Sequence, residues 1–122
     1  TDFNGVIRKA KMDIREINSI FSVTGQLGGD DIQTVAAAGF KTLICNRPDK
    51  EGWGQPGQAE IRDAAEMAGL TFHYVPAVSG ALTGADVVAM RQALSHAPGP
   101  VLAYCRSGAR SANLYQLATQ PQ

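Results

Sequence analysis

A cysteine followed five positions later by an arginine, with a glycine between them, is the feature of this chain best suited to chemistry. It sits in Val101-Leu102-Ala103-Tyr104-Cys105-Arg106-Ser107-Gly108-Ala109-Arg110-Ser111. The first residues form a short apolar run that reads as a buried strand, and a helical pattern follows. In a loop between a strand end and a helix N-terminus, successive backbone N–H groups converge and the helix dipole adds positive potential, so the loop favours anions. A Cys at its start has a depressed pKa, and the thiolate is the nucleophilic form. Arg110 brings a planar fork of donors matched to an oxyanion. The competing account is a small buried Cys with two solvated arginines. The order of strand, Cys, Gly and Arg at tight spacing favours the functional account. Cys105 is then the nucleophile, the backbone N–H groups of Arg106, Ser107, Gly108, Ala109 and Arg110 form the cradle, and Arg110 holds the anion's oxygens. Arg106 either assists at the mouth or is solvated.

The elements that must position this loop can be read in order. Residues 1–11 are polar and aperiodic and are expected to be an N-terminal arm or remnant, with one catalytic domain at 12–122. Asp13–Ile17 and Ile20–Val23 flank Asn18-Ser19 as a hairpin or paired edge strands. A helix follows, with Asp30 and Gln33 spaced like a capping box and Gly39 at its C-terminal stop. Lys41–Cys45 is short and apolar enough for a central strand. The Gly- and Pro-containing segment after it carries the lone tryptophan, Trp53. That ring either plugs the loop onto the body, the commoner outcome, or faces a ligand as a lid. Ile61, Ala64, Ala65 and Ala68 mark a second helix, and Thr71–Val75 a third strand stopped by Pro76. Thr83 and Asp86 cap a helix whose inward stripe is Val87, Met90, Leu94 and Ala97. Ala112–Thr119 continues the final helix, with Leu114, Leu117 and Ala118 facing inward. The alternation predicts an α/β fold in three layers, a mainly parallel sheet of about four to five strands flanked by helices. Sites in such sheets lie at the carboxyl ends of the strands. That rim takes Asn46-Arg47, the Val75-Pro76 loop and Cys105, so Arg47 is a second candidate anion contact.

Composition bounds the possibilities. At 122 residues and 12.9 kDa the chain makes one domain with one real core. Eleven basic and eleven acidic residues balance, which argues against a general nucleic-acid surface. Two cysteines are too few for a disulfide scaffold. No apolar run approaches the ~18 residues of a membrane span. A soluble protein of a reducing, cytoplasmic compartment is expected. No cluster has metal-ligand spacing, and neither a metal nor another cofactor is expected. Cys45, inside a strand, should be buried and inert. His73 should have a structural partner, and His96 should favour a helix C-terminus.

YCRSGARS resembles the active-site loop of single-domain rhodaneses, in which the Cys carries a persulfide. It is also similar to the loop of Cys-dependent phosphatases, where five residues rather than four separate Cys and Arg. The upstream layout, from Ile17 to Gly25 and then Ala38 to Asn46, resembles the opening of dual-specificity phosphatases. GQL, ICNRPD and YCRSGARS in this order resemble the phosphatase-like domain of the beta-lactamase-hydrolase-like family. Members of that family occur alone or fused to a persulfide-dioxygenase-type metallo-hydrolase domain. The resemblance covers about Met12 to Ala118 and implies a dual-specificity-phosphatase-like fold with a rhodanese-length loop. It also implies that the Ser111 hydroxyl bonds the sulfur; alternatively Ser111 is simply a good first-turn residue.

The resemblance leaves two chemistries. In dual-specificity phosphatases a general acid on the loop after the third strand protonates the leaving alkoxide. Here that loop is Pro76-Ala77-Val78-Ser79-Gly80-Ala81-Leu82, without a carboxylate. Asp49 is a substitute acid or a turn residue after Pro48, and Asp86 belongs to a helix cap. Sulfite leaves thiosulfate without protonation, so sulfur transfer tolerates the missing acid. The expectation is therefore a rhodanese-type sulfurtransferase. It would move sulfur from thiosulfate or a persulfide to a thiol such as glutathione through a Cys105 persulfide, and the resemblance implies a persulfide-dioxygenase-type partner or fused domain beside it. A phosphatase, or a non-catalytic anion-binding module, is the alternative.

Overall fold

Strands covered on both faces are buried along their whole length and mostly apolar, and three four-residue segments here are buried at every position. The computed structural model describes residues 12–121, so the arm expected at 1–11 lies outside the described residues. β1 is Arg15–Asn18 and β2 is Phe21–Thr24, an antiparallel hairpin whose first strand is exposed throughout. β3 (Thr42–Cys45), β4 (Thr71–Tyr74) and β5 (Val101–Tyr104) complete a sheet of order β1-β2-β5-β3-β4. All pairings except β1–β2 are parallel. Four α-helices cover it: α1 (Ile32–Ala37), α2 (Gln58–Met67), α3 (Gly84–Ser95) and α4 (Ala109–Ala118). No helix of the described residues is long and apolar enough to cross a membrane.

The alternation of side chains along β5 divides the core in two. Val101 and Ala103 pack with Phe21, Ile44, Met90 and Leu114, on the side of α3 and α4. Leu102 and Tyr104 pack with Leu43, Val35, Ile61 and Ala65, on the side of α1 and α2. This is the three-layer arrangement, and it puts β5 at the sheet's centre. Thr24, Tyr104 and Cys45 stand side by side at the carboxyl ends of β2, β5 and β3. The residue after β5, Cys105, is thereby fixed at the rim.

Several local expectations need correction. α4 starts at Ala109, where the Ala112 amide closes a turn onto the Gly108 carbonyl at 3.0 Å. Arg110 is thus in the first helical turn rather than in the loop, and Ser111 is in that turn as one of its two expected places has it. Leu117 is exposed, not inward-facing. Before α1 the cap is made by Asp31, whose carboxylate accepts the Gly28 amide at 2.8 Å, not by Asp30 and Gln33. Trp53 does not plug its loop onto the body; it is fully exposed. The Nε2 of His73 is buried without a hydrogen-bond partner, so the expected structural partner is missing there. The Thr83–Asp86 capping box forms as read, and His96 caps the C-terminus of α3.

Asn46 ties the rim together. Fully buried, it donates through Nδ2 to the Val75 carbonyl at 2.9 Å, and its backbone carbonyl accepts the Ala77 amide at 3.1 Å. The side chain therefore holds the end of β4 against β3. Asn46→Ala leaves a buried carbonyl unpaired and is expected to lower the unfolding free energy by about 1–3 kcal/mol, read from the urea midpoint at unchanged slope.

Candidate active site

Cys105 leaves β5 with its amide donating to the Thr24 carbonyl at 3.3 Å, so the sheet ladder still holds the residue that carries the sulfur. The chain then turns back sharply. Gly108 adopts φ 95°, in the left-handed region, and its amide donates to Cys105 Sγ at 3.0 Å. Only glycine takes this conformation without penalty. A Cβ at Gly108 would also stand 2.6 Å from Arg15 Nη2 and 3.4 Å from Thr24 backbone atoms. Arg15 in turn donates to the Ser107 carbonyl at 3.2 Å, which ties the β1 edge to the loop. From the GQL segment, Gly25 lies so close beneath that a Cβ there would meet the Arg106 carbonyl at 3.0 Å.

Burial pushes the Cys105 thiol up, but the amide and hydroxyl of Ser111 and the amides of Ser107 and Gly108 pull it down further. The net effect is a thiol more acidic than usual. Ser111 is fully buried in the first turn of α4, and its hydroxyl is among the groups that lower the Cys105 pKa. Cys45 behaves oppositely. Burial raises its pKa, and its Sγ lies 3.3 Å from the Arg47 carbonyl, the setting of an inert thiol.

Arg110 is nearly buried and fully engaged at its tip. Nη1 donates to Glu51 Oε2 and to the Ala77 carbonyl, both at 2.9 Å, while Nη2 donates to Glu51 Oε1 at 3.0 Å. Its Nε is buried without a partner. Glu51 also accepts Arg47 Nε at 3.1 Å. The hydrogen bond from Arg110, reinforced by Arg47, holds the Glu51 carboxyl below the ordinary range despite partial burial. Glu51 was not among the residues singled out from sequence. Its only signal is an acid four residues after Arg47, a spacing that says nothing of direction inside a loop.

Cys105, Arg106, Ser107, Ala109 and Arg110 line a cleft of about 240 Å³, closed on its other side by Glu51, Val78 and Ser79. Arg47 and Asp49 are not among its lining residues. Arg47 is buried and spends Nη1 on Gln26 Oε1 at 3.0 Å. Asp49 accepts the Gln58 amide at 2.7 Å and so serves the N-terminus of α2. Its place in a turn after Pro48, with a capping duty, is the structural one of its two expected roles. Among the described residues no group of three or more His, Cys, Asp or Glu is placed to hold a metal ion.

An acidic thiol held by amides at the mouth of a parallel sheet, with an arginine fork from the following helix, sits on a phosphatase-like fold of the dual-specificity type. The chain belongs to the beta-lactamase hydrolase-like protein family, as its phosphatase-like domain, which it matches over residues 13–121. It is similar to the beta-lactamase hydrolase-like protein of Agrobacterium fabrum, 39% identical over 101 residues, covering 83% of this chain and 23% of that protein. The chain thus spans about a quarter of the length of such relatives. Among solved structures it is similar to a proposed phosphatase of Neisseria meningitidis, with a TM-score of 0.75 and 40% identity over 82% of this chain and 71% of that one. A proposed phosphatase of Shewanella putrefaciens matches with a TM-score of 0.79 over 93% of this chain and 74% of that one. At 17% identity that likeness speaks for the fold alone.

Alkylation of Cys105 by iodoacetamide should show a midpoint below the ~8.5 of a free thiol. Because the folded pKa lies below the unfolded one, folding stability should rise with pH between the two values and be lost as pH falls through the folded one. Gly108→Ala displaces one sulfur-bonding amide and forces a left-handed alanine. It should move the alkylation midpoint upward and cost about 1–2 kcal/mol of stability.

Proposed function

We propose that this domain is a Cys-dependent phosphatase for phosphoryl groups carried on acidic leaving groups, such as aryl or acyl phosphates. One observation carries the reading. The Arg110 fork grips a two-oxygen anion, the Glu51 carboxylate, at the mouth of a cleft whose floor is an acidic thiol. A phosphoryl group presents the same pair of oxygens to the fork. The Cys105 thiolate attacks phosphorus and the P–O bond to the leaving group breaks, its electron pair departing with the oxygen. Water then attacks the cysteinyl phosphate, releasing inorganic phosphate and regenerating the thiolate. Glu51 is held as a carboxylate and Asp49 is committed to α2, so neither supplies a proton to the departing oxygen. That restricts the substrate to leaving groups stable as anions. The family description and the Neisseria relative support phosphoryl chemistry, which reverses the order of preference expected from the sequence.

Sulfur transfer is the second reading, favoured by the four-residue spacing from Cys105 to Arg110 and by the missing acid. There the thiolate takes the outer sulfur of thiosulfate, sulfite departs, and the persulfide passes its sulfur to a thiol. The partner expected from the resemblance, a persulfide-dioxygenase-type domain, consumes that product.

The two are separated by assaying one preparation with a series of aryl phosphates and with thiosulfate plus glutathione or cyanide. Turnover should fall steeply as the leaving group's pKa rises and vanish in Cys105→Ser. Sulfur transfer without turnover of any phosphate ester would install the second reading in place of the first.

A further inference from the structure

The Arg110–Glu51 pair has the geometry of an enzyme–ligand contact rather than of a surface salt bridge. Both carboxylate oxygens are used, one on each terminal nitrogen of Arg110, with Arg47 Nε sharing Oε1. The carboxylate lines the same cleft as Cys105. It comes from the β3–α2 connection, which is held locally by Gln55 Oε1 accepting the Glu51 and Gly52 amides at 3.1 and 3.0 Å. Glu51 is therefore tethered at its seat and competes with any incoming anion at a high effective concentration.

We propose that Glu51 is a specificity-determining residue: its carboxylate sits in the oxyanion seat of Arg110, and only an anion with a third terminal oxygen displaces it. This rests on the proposed function in one respect, that Arg110 is the ligand of the substrate's oxygens. A free carboxylate or a phosphodiester carries two terminal oxygens. Either gains on the fork only what Glu51 already has, and pays the entropy of association besides. A phosphomonoester or a sulfonate has a third oxygen. With two oxygens on the fork, the third is left for the loop, where the amides at the start of α4 converge. Glu51 also leaves Arg110 Nε, a buried donor, without an acceptor, so the carboxylate does not exhaust what the seat offers.

The test measures protection of Cys105 from iodoacetamide, a neutral reagent, by inorganic phosphate and by acetate. In the wild-type chain phosphate should protect and acetate at equal concentration should not. In Glu51→Gln and Glu51→Ala both anions should protect at lower concentration. Acetate should gain more, narrowing the phosphate-to-acetate ratio by on the order of tenfold or more. Weaker phosphate protection in these variants would make Glu51 a support for Arg110 and overturn the proposal, as would unchanged protection by both anions. A measurement on the unmodified chain stands beside it. The carboxyl carbon resonance of Glu51 should move toward that of a free carboxylate on adding phosphate but not acetate, and a resonance indifferent to saturating phosphate would equally overturn the proposal. Turnover is not among the readouts: the expected binding pattern without phosphatase activity would remove the proposed reaction and leave the role of Glu51 standing.

Discussion

Everything at the site depends on β5 being hydrogen-bonded on both sides in parallel register. Phe21, Val101 and Thr42 align at one end, and Thr24, Tyr104 and Cys45 at the other. That register fixes where the polypeptide must leave the sheet. The left-handed Gly108 fixes how sharply it turns, and α4 then begins at once. Sulfur, amides and guanidinium are brought together by backbone geometry, so the Cys105 thiol is made more acidic without a neighbouring base. Burial alone would make Cys105 less acidic; the amides and the Ser111 hydroxyl reverse the sign. Cys45, with burial and no such cradle, shows what the same side chain does without them.

Much of this was legible in the residues. Apolar runs too short for helices marked β3 and β5, Gly39 and the Thr83–Asp86 pair marked helix ends, and the order of Cys105, Gly108 and Arg110 marked the loop. What escaped has a physical reason in each case. Apolar periodicity marks the body of α4 but cannot place Arg110 in its first turn, because that turn holds Arg and Ser. Leu117 falls outside the inward stripe because periodicity identifies a stripe but not its edges. Glu51 escaped because its partner lies 59 residues away, joined only by tertiary structure. The sequence order of Asp49 and Glu51 offered two carboxylates beside the rim. Packing, not spacing, sends one to a helix N-terminus and the other into the cleft.

The rim is built from connections rather than from strands. Asn46 braces the end of β4, Arg47 spans Gln26 and Glu51, and Arg110 reaches the Ala77 carbonyl as well as Glu51. These polar ties join four segments that flank the apolar core. The core sets the positions of the strand ends, while the buried polar network sets the shape of the cleft above them. Changes at Arg47 or Glu51 should therefore alter recognition more than the fold.

Trp53 stands two residues beyond Glu51, fully exposed, and is the sole tryptophan of the chain. Its indole is thus a single optical probe placed on the segment whose carboxylate occupies the Arg110 fork. Excited beyond the tyrosine absorption band, the unlabelled protein emits from that one locus, so motion of the connection between β3 and α2 can be followed in real time without a dye or an engineered label.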